Sequence, residues 1–204
     1  MVAELGHFTL ILALTIALIQ AFFPLVGAQR GNNAWIALAQ PTALFQFLLV
    51  AISFGCLTQL YVTSDFSVVN VVKNSNTAMP MLYKISGVWG NHEGSLLLWV
   101  LILAIFGASV AAFGNNLPPE FRARALSVQS MIAIGFYTFI LFTSNPFERV
   151  FPPPMNGRDL NPLLQDPGLA FHPPMLYLGY VGFSMAFSFA IAAVSYTHLT
   201  LPTK

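Results

Sequence analysis

Five long apolar segments dominate the sequence, and they decide what kind of fold the chain can form. They cover approximately residues 6–27, 41–63, 94–113, 125–143 and 174–194. A helix needs about 20 apolar residues to cross the hydrocarbon core of a bilayer, and each segment is close to that length. Backbone polar groups inside a bilayer must be paired within their own segment, which favours helices. We therefore predict an all-α polytopic membrane protein with about five transmembrane helices.

The composition agrees with a membrane protein and excludes nucleic-acid binding by charge. Hydrophobic residues make up 56% of the chain and charged residues 7%, whereas a soluble domain has about 25% charged residues. At a formal net charge of +1, the chain has no basic surface from which counterions could be released on binding DNA or RNA. We expect contact with membrane lipid and no contact with nucleic acid.

Two short connections, 28–40 and 114–124, alternate with two longer Pro- and Gly-rich loops, 64–93 and 144–173. Arg30, Arg122 and Arg124 concentrate positive charge in the short connections, and the positive-inside rule then places them in the cytoplasm. A raw count of Lys and Arg does not decide the orientation, so this prediction depends on charge density. Both long loops would then face the periplasm of a bacterial inner membrane.

The last ten residues, "SYTHLTLPTK", depart from the pattern of the fifth segment. A basic turn is expected after a membrane span, but Thr, His and Pro appear there. We therefore assign residues 1–194 to one membrane region and interpret 195–204 as a non-native or out-of-frame end. His198 and Lys204 are excluded from the functional candidates for that reason.

A first group of candidate functional residues precedes the third apolar segment, in "VWGNHEGSLLLWV". His92 and Glu93 are adjacent ionisable residues at a membrane edge, where burial of an unpaired charge is costly. Either His92 has a chemical role, or the group caps the helix, with Asn91 or Ser95 satisfying unpaired amides and Glu93 complementing the positive end. Trp89 is typical of an interfacial aromatic belt, although its flat ring could also lie against a flat cofactor.

The second candidate is His172, in "GLAFHPPMLY" at the start of the fifth segment. Proline disfavours helical backbone in the preceding residue, so Pro173 predicts an extended His172, and Pro174 suits the first turn of the fifth helix. An imidazole held at a membrane surface is a natural ligand for iron, and haem needs one or two such ligands. A hydrogen-bonded structural histidine is the alternative. Four neighbours would support a porphyrin: Phe171, Met175, Tyr177 and Tyr180.

Three strings of the sequence resemble the amino-terminal part of the CcmF and NrfE family of haem-handling proteins. They are "WGNHEGSLLLWV", "VVNVVKNSNTAMPMLYKISGVWG" and "FTSNPFERVFPPPMNGRDLNPLLQDPGLAFHPPMLYLGYVGFSMAFSFA". The resemblance extends from the first apolar segment to about Val194. It implies a subunit of the haem lyase of cytochrome c maturation, which joins the vinyl groups of haem to the CxxCH thiols of apocytochrome c.

The resemblance also implies partners, a cofactor and a site. The family takes haem from holo-CcmE and acts with CcmH and CcmI on apocytochrome c. The histidine of its HPP motif, which matches His172, is one of two axial ligands to the incoming haem iron, and two membrane-embedded histidines hold a permanent haem b. The second axial ligand, a tryptophan-rich platform and the embedded pair have no match in this sequence, so we expect a truncated copy that is inactive alone.

Haem ligation adds a thiol across a vinyl group, and the substrate supplies the nucleophile, so positioning matters more than a catalytic side chain. We therefore expect no catalytic residue in this chain. Arg158 is a candidate contact for a haem propionate, because a guanidinium can bind a carboxylate through two hydrogen bonds. A local bridge to Asp159 or another contact within the loop is the alternative for Arg158.

Two other classes of function are a haem or ion-coupled transporter subunit and a structural scaffold of a membrane complex. A coupled transporter would show an acidic residue at mid-depth in a span, and none of the five apolar segments contains one. A scaffold would explain the packed helices but not the Pro-rich loop that carries a histidine.

Overall fold

The computed structural model describes residues 1–200, which form an α-helical bundle. Its long helices are α1 (Val2–Arg30), α3 (Ala39–Val62), α6 (His92–Phe113), α7 (Pro119–Thr143) and α8 (Pro167–Thr200). The short helices are α2 (Asn33–Ile36), α4 (Val69–Asn74) and α5 (Met81–Gly87), with 3₁₀ turns at Gly114–Asn116 and Pro162–Leu164. No β-strand occurs among these residues. Lys204 lies outside the described residues, as does the side chain of His198.

Within residues 1–200, five helices are long and apolar enough to cross a membrane, and they correspond to the five predicted segments. The predicted all-α fold is therefore confirmed, and the chain is a multi-pass membrane protein. Each helix begins two or more residues before its predicted segment. At the start of α6, for example, the Asn91 side chain accepts a hydrogen bond from the amide of Gly94, which satisfies an otherwise unpaired donor.

Arg124 lies inside α7 rather than in a connection, because α7 begins at Pro119, earlier than the predicted residue 125. Proline is favoured at the first helical position, where its missing amide costs no hydrogen bond. The Arg124 side chain is buried. It donates from Nη2 to the carbonyl of Ala28 at 2.9 Å and from Nη1 to Ser195 Oγ at 2.6 Å. Arg124 therefore joins α1, α7 and α8 instead of adding charge to an exposed connection.

The long helices pack around a core to which α1, α3, α6 and α7 contribute most of the buried side chains. Helix α1 packs against α3 and α7, and α6 packs against the same two helices. Helix α8 packs on α6 and α7. In the apolar stretch of α8, 22% of the residues are buried, compared with 39 to 50% in the other four long helices. Helix α8 thus lies at the edge of the bundle.

The two long loops join at one end of the bundle and form what we call the cap, residues 63–91 and 144–166. Three backbone hydrogen bonds connect them: Val69 N to Glu148 O at 2.9 Å, Val150 N to Ser67 O at 3.0 Å and Arg158 N to Val72 O at 2.6 Å. An ion pair between Glu4 and Arg149 attaches the start of α1 to the same end. The predicted placement of both long loops on one side of the membrane agrees with this arrangement.

Candidate functional site

His172 lies in a helix, which corrects the prediction of extended backbone before Pro173. Helix α8 begins at Pro167 because Asp166 caps it: the amide of Gly168 donates to Asp166 Oδ1 at 2.8 Å, and that of Ala170 donates to the Asp166 carbonyl at 2.9 Å. The helix is already established when it reaches Pro173 and Pro174, and both lie inside it. His172 therefore occupies the second turn, and Pro174 does not begin the helix.

Pro174 leaves one carbonyl of α8 without its helical partner, and Trp89 provides a replacement. In a regular helix the amide of residue 174 would donate to the carbonyl of residue 170, but proline has no N–H. The indole Nε1 of Trp89 donates to the Ala170 carbonyl at 2.9 Å. Ala170 is buried, and a buried carbonyl without a partner is costly. This hydrogen bond ties the end of the cap to α8.

A cavity of about 280 Å³ lies between the cap and the first turns of α8. Trp89 and His92 line it on one side, and Pro173 and Tyr177 line it on the other. Residues four apart in a helix share a face, so Pro173 and Tyr177 present one side of α8 to the cavity. The structure therefore brings Trp89 and His92 together beside the helix that carries His172, although His172 does not line the cavity.

His92 combines a structural contact with exposure to the cavity. Its Nε2 lies 3.1 Å from Oγ of Ser144, a buried residue that follows α7. Its ring meets the ring of Phe139 edge-on, with centroids 6.2 Å apart. The prediction that Asn91 caps the helix is confirmed, because Asn91 Oδ1 accepts from Gly94 N at 2.8 Å. Capping thus belongs to Asn91, and His92 joins α6 to the residue after α7.

Below the cavity lies a buried polar network that sequence reasoning missed. The Tyr61 hydroxyl donates to Asn70 Oδ1, and Asn91 Nδ2 donates to the Tyr61 hydroxyl at 3.0 Å. Asn70 Nδ2 donates to Asn91 Oδ1 at 2.8 Å and lies 3.4 Å from Glu93 Oε2. Tyr61 is fully buried and Asn70 nearly so. The only signal in the sequence is that Asn70 interrupts the apolar run "SVVNVV", which does not reveal its partners.

His172 lies on the exposed side of α8, above an apolar groove. Its side chain is exposed and makes no hydrogen bond within the described part of the chain. A groove of about 380 Å³ follows it along the helix, lined by Met175, Leu176, Gly179, Tyr180 and Phe183. Leu176, Gly179 and Phe183 follow His172 at helical spacing, so they share its face. A Cβ added at Gly179 would meet no atom within 4 Å, so the groove is open there.

The four predicted porphyrin neighbours are divided between the two sides of α8. Phe171, Met175 and Tyr180 are exposed, with relative accessibilities of 60%, 65% and 61%. Tyr177 lines the cavity on the other side. The helical geometry explains the division, because residues 173 and 177 lie on a different face from residues 172 and 176.

Arg158 lies on the cap and lines neither the cavity nor the groove. Its backbone amide donates to the Val72 carbonyl, and its side chain is exposed. Among residues 1–200, no ion pair forms between Arg158 and Asp159. The Asp159 carboxylate accepts a hydrogen bond from the amide of Leu160 at 2.9 Å. The guanidinium is therefore available to a ligand from outside the chain.

Fold and site together define a multi-pass helical membrane protein that presents an imidazole beside an apolar groove. The family model described as "Cytochrome C assembly protein" matches residues 89–202, which is more than half of the chain. The chain belongs to this family of cytochrome c assembly proteins. The resemblance to CcmF and NrfE proteins is confirmed by the individual relatives.

The sequence is 66% identical over 194 residues to the cytochrome c-type biogenesis protein ccl1 of Rhodobacter capsulatus, covering 95% of this chain and 30% of that protein. It is 57% identical to CcmF of Pseudomonas aeruginosa and 50% identical to CcmF of Escherichia coli, with the same two coverages. The solved structure of the cytochrome c haem lyase CcmF matches 97% of this chain and 31% of its own, with a TM-score of 0.84 and 25% identity. The chain thus spans about 30% of the length of these relatives.

Proposed function

We propose that this chain binds haem through His172, as part of cytochrome c maturation at the periplasmic face of a bacterial inner membrane. The observation that carries the proposal is the exposed imidazole in the second turn of α8, directly above an apolar groove. Family membership supports haem as the ligand, because the relatives are named for cytochrome c biogenesis and one solved relative is named a cytochrome c haem lyase. Arg30 and Arg122, which lie at the ends of α1 and α7 opposite the cap, support the periplasmic placement of the cap.

The residues of α8 fit haem, because His172 would hold the iron and the groove beside it would contact the macrocycle. A neutral imidazole nitrogen binds haem iron. The groove beyond His172 presents Met175, Tyr180 and Phe183, which can pack against an apolar macrocycle and exclude water from it. When bound, haem supplies the vinyl groups to which cysteine thiols add. In this proposal His172 would hold the iron, and the groove would bind the ring and exclude water from it.

The other predicted residues have supporting roles in this proposal. Arg158 contributes an exposed guanidinium from the cap, where it can meet a carboxylate of the propionate type as a bidentate donor. His92 and Glu93 support the cap end of the bundle, because His92 bonds to Ser144 and Glu93 approaches Asn70. Neither side chain lines the groove beside His172. No side chain of this chain acts as a nucleophile.

The complete reaction involves partners and a resident cofactor of the full-length family. We propose holo-CcmE as the haem donor, apocytochrome c as the acceptor, and CcmH with CcmI as the proteins that present the acceptor. Haem b is assigned to membrane-embedded histidines of full-length members. In this chain His7, His92 and His172 all lie near the cap end of their helices, so none of these three is placed to hold a haem at mid-depth.

Haem titration of the purified chain in lipid nanodiscs tests the proposal. We expect His172→Ala to weaken haem binding by roughly tenfold or more, because it removes the axial nitrogen. His7→Ala is the matched control, since it removes another imidazole near the same end of the bundle but leaves the groove intact. Binding is measured from the Soret band. Equal affinities for the wild type and His172→Ala would contradict the proposal.

A further inference from the structure

We infer that Trp89 is a positioning residue for His172. The indole N–H of Trp89 replaces the helical hydrogen bond that Pro174 removes, and it thereby holds the first two turns of α8 against the cap. The inference rests on the proposed haem role of His172 only in its last step, the effect on haem binding. The hydrogen bond and its dependence on Pro174 can be tested without haem.

Proline inside a helix has two effects on the residue four positions earlier. It supplies no amide for that carbonyl, and its ring pushes the carbonyl away from the helix axis. In α8 the affected carbonyl belongs to Ala170, two residues before His172. It is also the group that accepts from Trp89 Nε1 at 2.9 Å. This donor therefore joins the first turns of α8 to the cap by a hydrogen bond as well as by packing.

Trp89 is itself held rigidly, so its indole is a fixed point for α8. Its backbone amide donates to the Ser86 carbonyl at 3.1 Å. Two residues later, Asn91 Nδ2 donates to the Gly87 and Val88 carbonyls at 2.8 and 3.2 Å. Asn91 is in turn anchored by the buried hydroxyl of Tyr61. A continuous series of contacts therefore leads from the buried network to Trp89 and on to the helix that carries His172.

The role of the indole N–H can be separated from that of the ring. Trp89→Phe keeps an aromatic ring in the same place but removes the donor. Pro174→Ala restores a backbone amide that can donate to the Ala170 carbonyl, so the donor from Trp89 is no longer required. If Trp89 acts through its N–H, the two substitutions must be coupled. If it acts only by packing, the effect of Trp89→Phe must be the same with proline or alanine at position 174.

The experiment measures hydrogen–deuterium exchange over residues 167–178 in nanodiscs for the wild type, both single variants and the double variant. We expect Trp89→Phe to speed exchange roughly five- to tenfold, as the loss of one neutral hydrogen bond implies. In the Pro174→Ala background the same substitution should change exchange less than about twofold. Trp99→Phe is the control, because Trp99 packs on Phe136 and should leave this segment unchanged. Equal effects in both backgrounds would overturn the inference.

Haem titration of the same four proteins tests the last step. We expect Trp89→Phe to lower haem affinity several-fold and Pro174→Ala to restore it in the double variant. If His172→Ala leaves haem binding unchanged, the proposed function fails, while coupling in the exchange data would still support the role of Trp89 in holding α8. The exchange data could show coupling while Trp89→Phe leaves haem affinity unchanged. The inference that Trp89 positions His172 would then be wrong.

If Trp89→Phe does not fold, the indole N–H can be measured directly in proteins that keep Trp89. The chain has three tryptophans, so ¹⁵N-indole labelling gives three resolvable signals, and Trp99→Phe helps to assign them. We expect the Trp89 indole N–H to be protected from solvent exchange in the wild type and less protected in Pro174→Ala. An unprotected indole N–H in the wild type would overturn the inference.

Discussion

Replacement of Gly94 by alanine is expected to prevent the cap from folding stably onto the bundle. A Cβ at this position would lie 1.6 Å from the carbonyl oxygen of Val88 and 2.9 Å from its carbonyl carbon. Both atoms belong to the backbone before α6, so they cannot move aside as a flexible side chain would. Overpacking usually costs about 1–3 kcal/mol. Here we expect about 4 kcal/mol or more, because the displaced backbone also carries the capping residue Asn91.

Thermal unfolding in detergent, followed by intrinsic fluorescence and size-exclusion chromatography, measures this effect. Gly55→Ala in α3 and Gly135→Ala in α7 are the matched controls, since a Cβ at either position would meet nothing within 4 Å. Alanine is favoured over glycine in a helix by about 1 kcal/mol, so both controls should be neutral or slightly stabilising. If Gly94→Ala melted at the same temperature as the controls, Gly94 would not lie as close to the Val88 carbonyl as the structure places it.

The five membrane helices could be predicted because each depends on a property of its own segment. About 20 apolar residues cross a bilayer whatever the rest of the chain does. The start of α8 was predicted less well, because the rule for residues before proline describes a local preference. In the structure Asp166 and Pro167 begin the helix first, and Trp89 supplies the hydrogen bond that Pro174 removes. That tertiary contact joins residues far apart in sequence, so no local rule could reveal it.

The candidate site shows the same limit for side chains. The sequence pointed to His172 and His92 because an imidazole at the edge of an apolar segment is unusual and costly. It did not predict that His92 and His172 would lie on different sides of the first turns of α8. That arrangement depends on where α8 begins, because the start of the helix decides which face each of its residues occupies. Tyr61 and Asn70 were missed because a buried polar group is recognisable only from its partners.

Asn91→Ala should cause the second large loss of stability, because the Asn91 side chain is both the N-cap of α6 and the centre of the buried network. Loss of an asparagine cap costs about 1 kcal/mol. The substitution also removes the hydrogen bonds to the Tyr61 hydroxyl and to Asn70 Nδ2, and a buried polar group left without its partner costs about 1–3 kcal/mol. We expect a total loss of about 2–4 kcal/mol in the free energy of unfolding, measured by denaturation in mixed micelles.

Two variants separate the contribution of helix capping to stability from that of the buried network. Asn32 also caps a helix, accepting from the amides of Ala34 and Trp35 at 3.1 and 3.3 Å, but its side chain is exposed, so Asn32→Ala should lose only about 1 kcal/mol. Asn91→Ser keeps a capping oxygen and removes the amide donors, so its loss should lie between those of the two alanine variants. If Asn91→Ala lost no more than Asn32→Ala, the network would contribute nothing to stability. The rigid support of Trp89, and with it the positioning of His172, would then need another explanation.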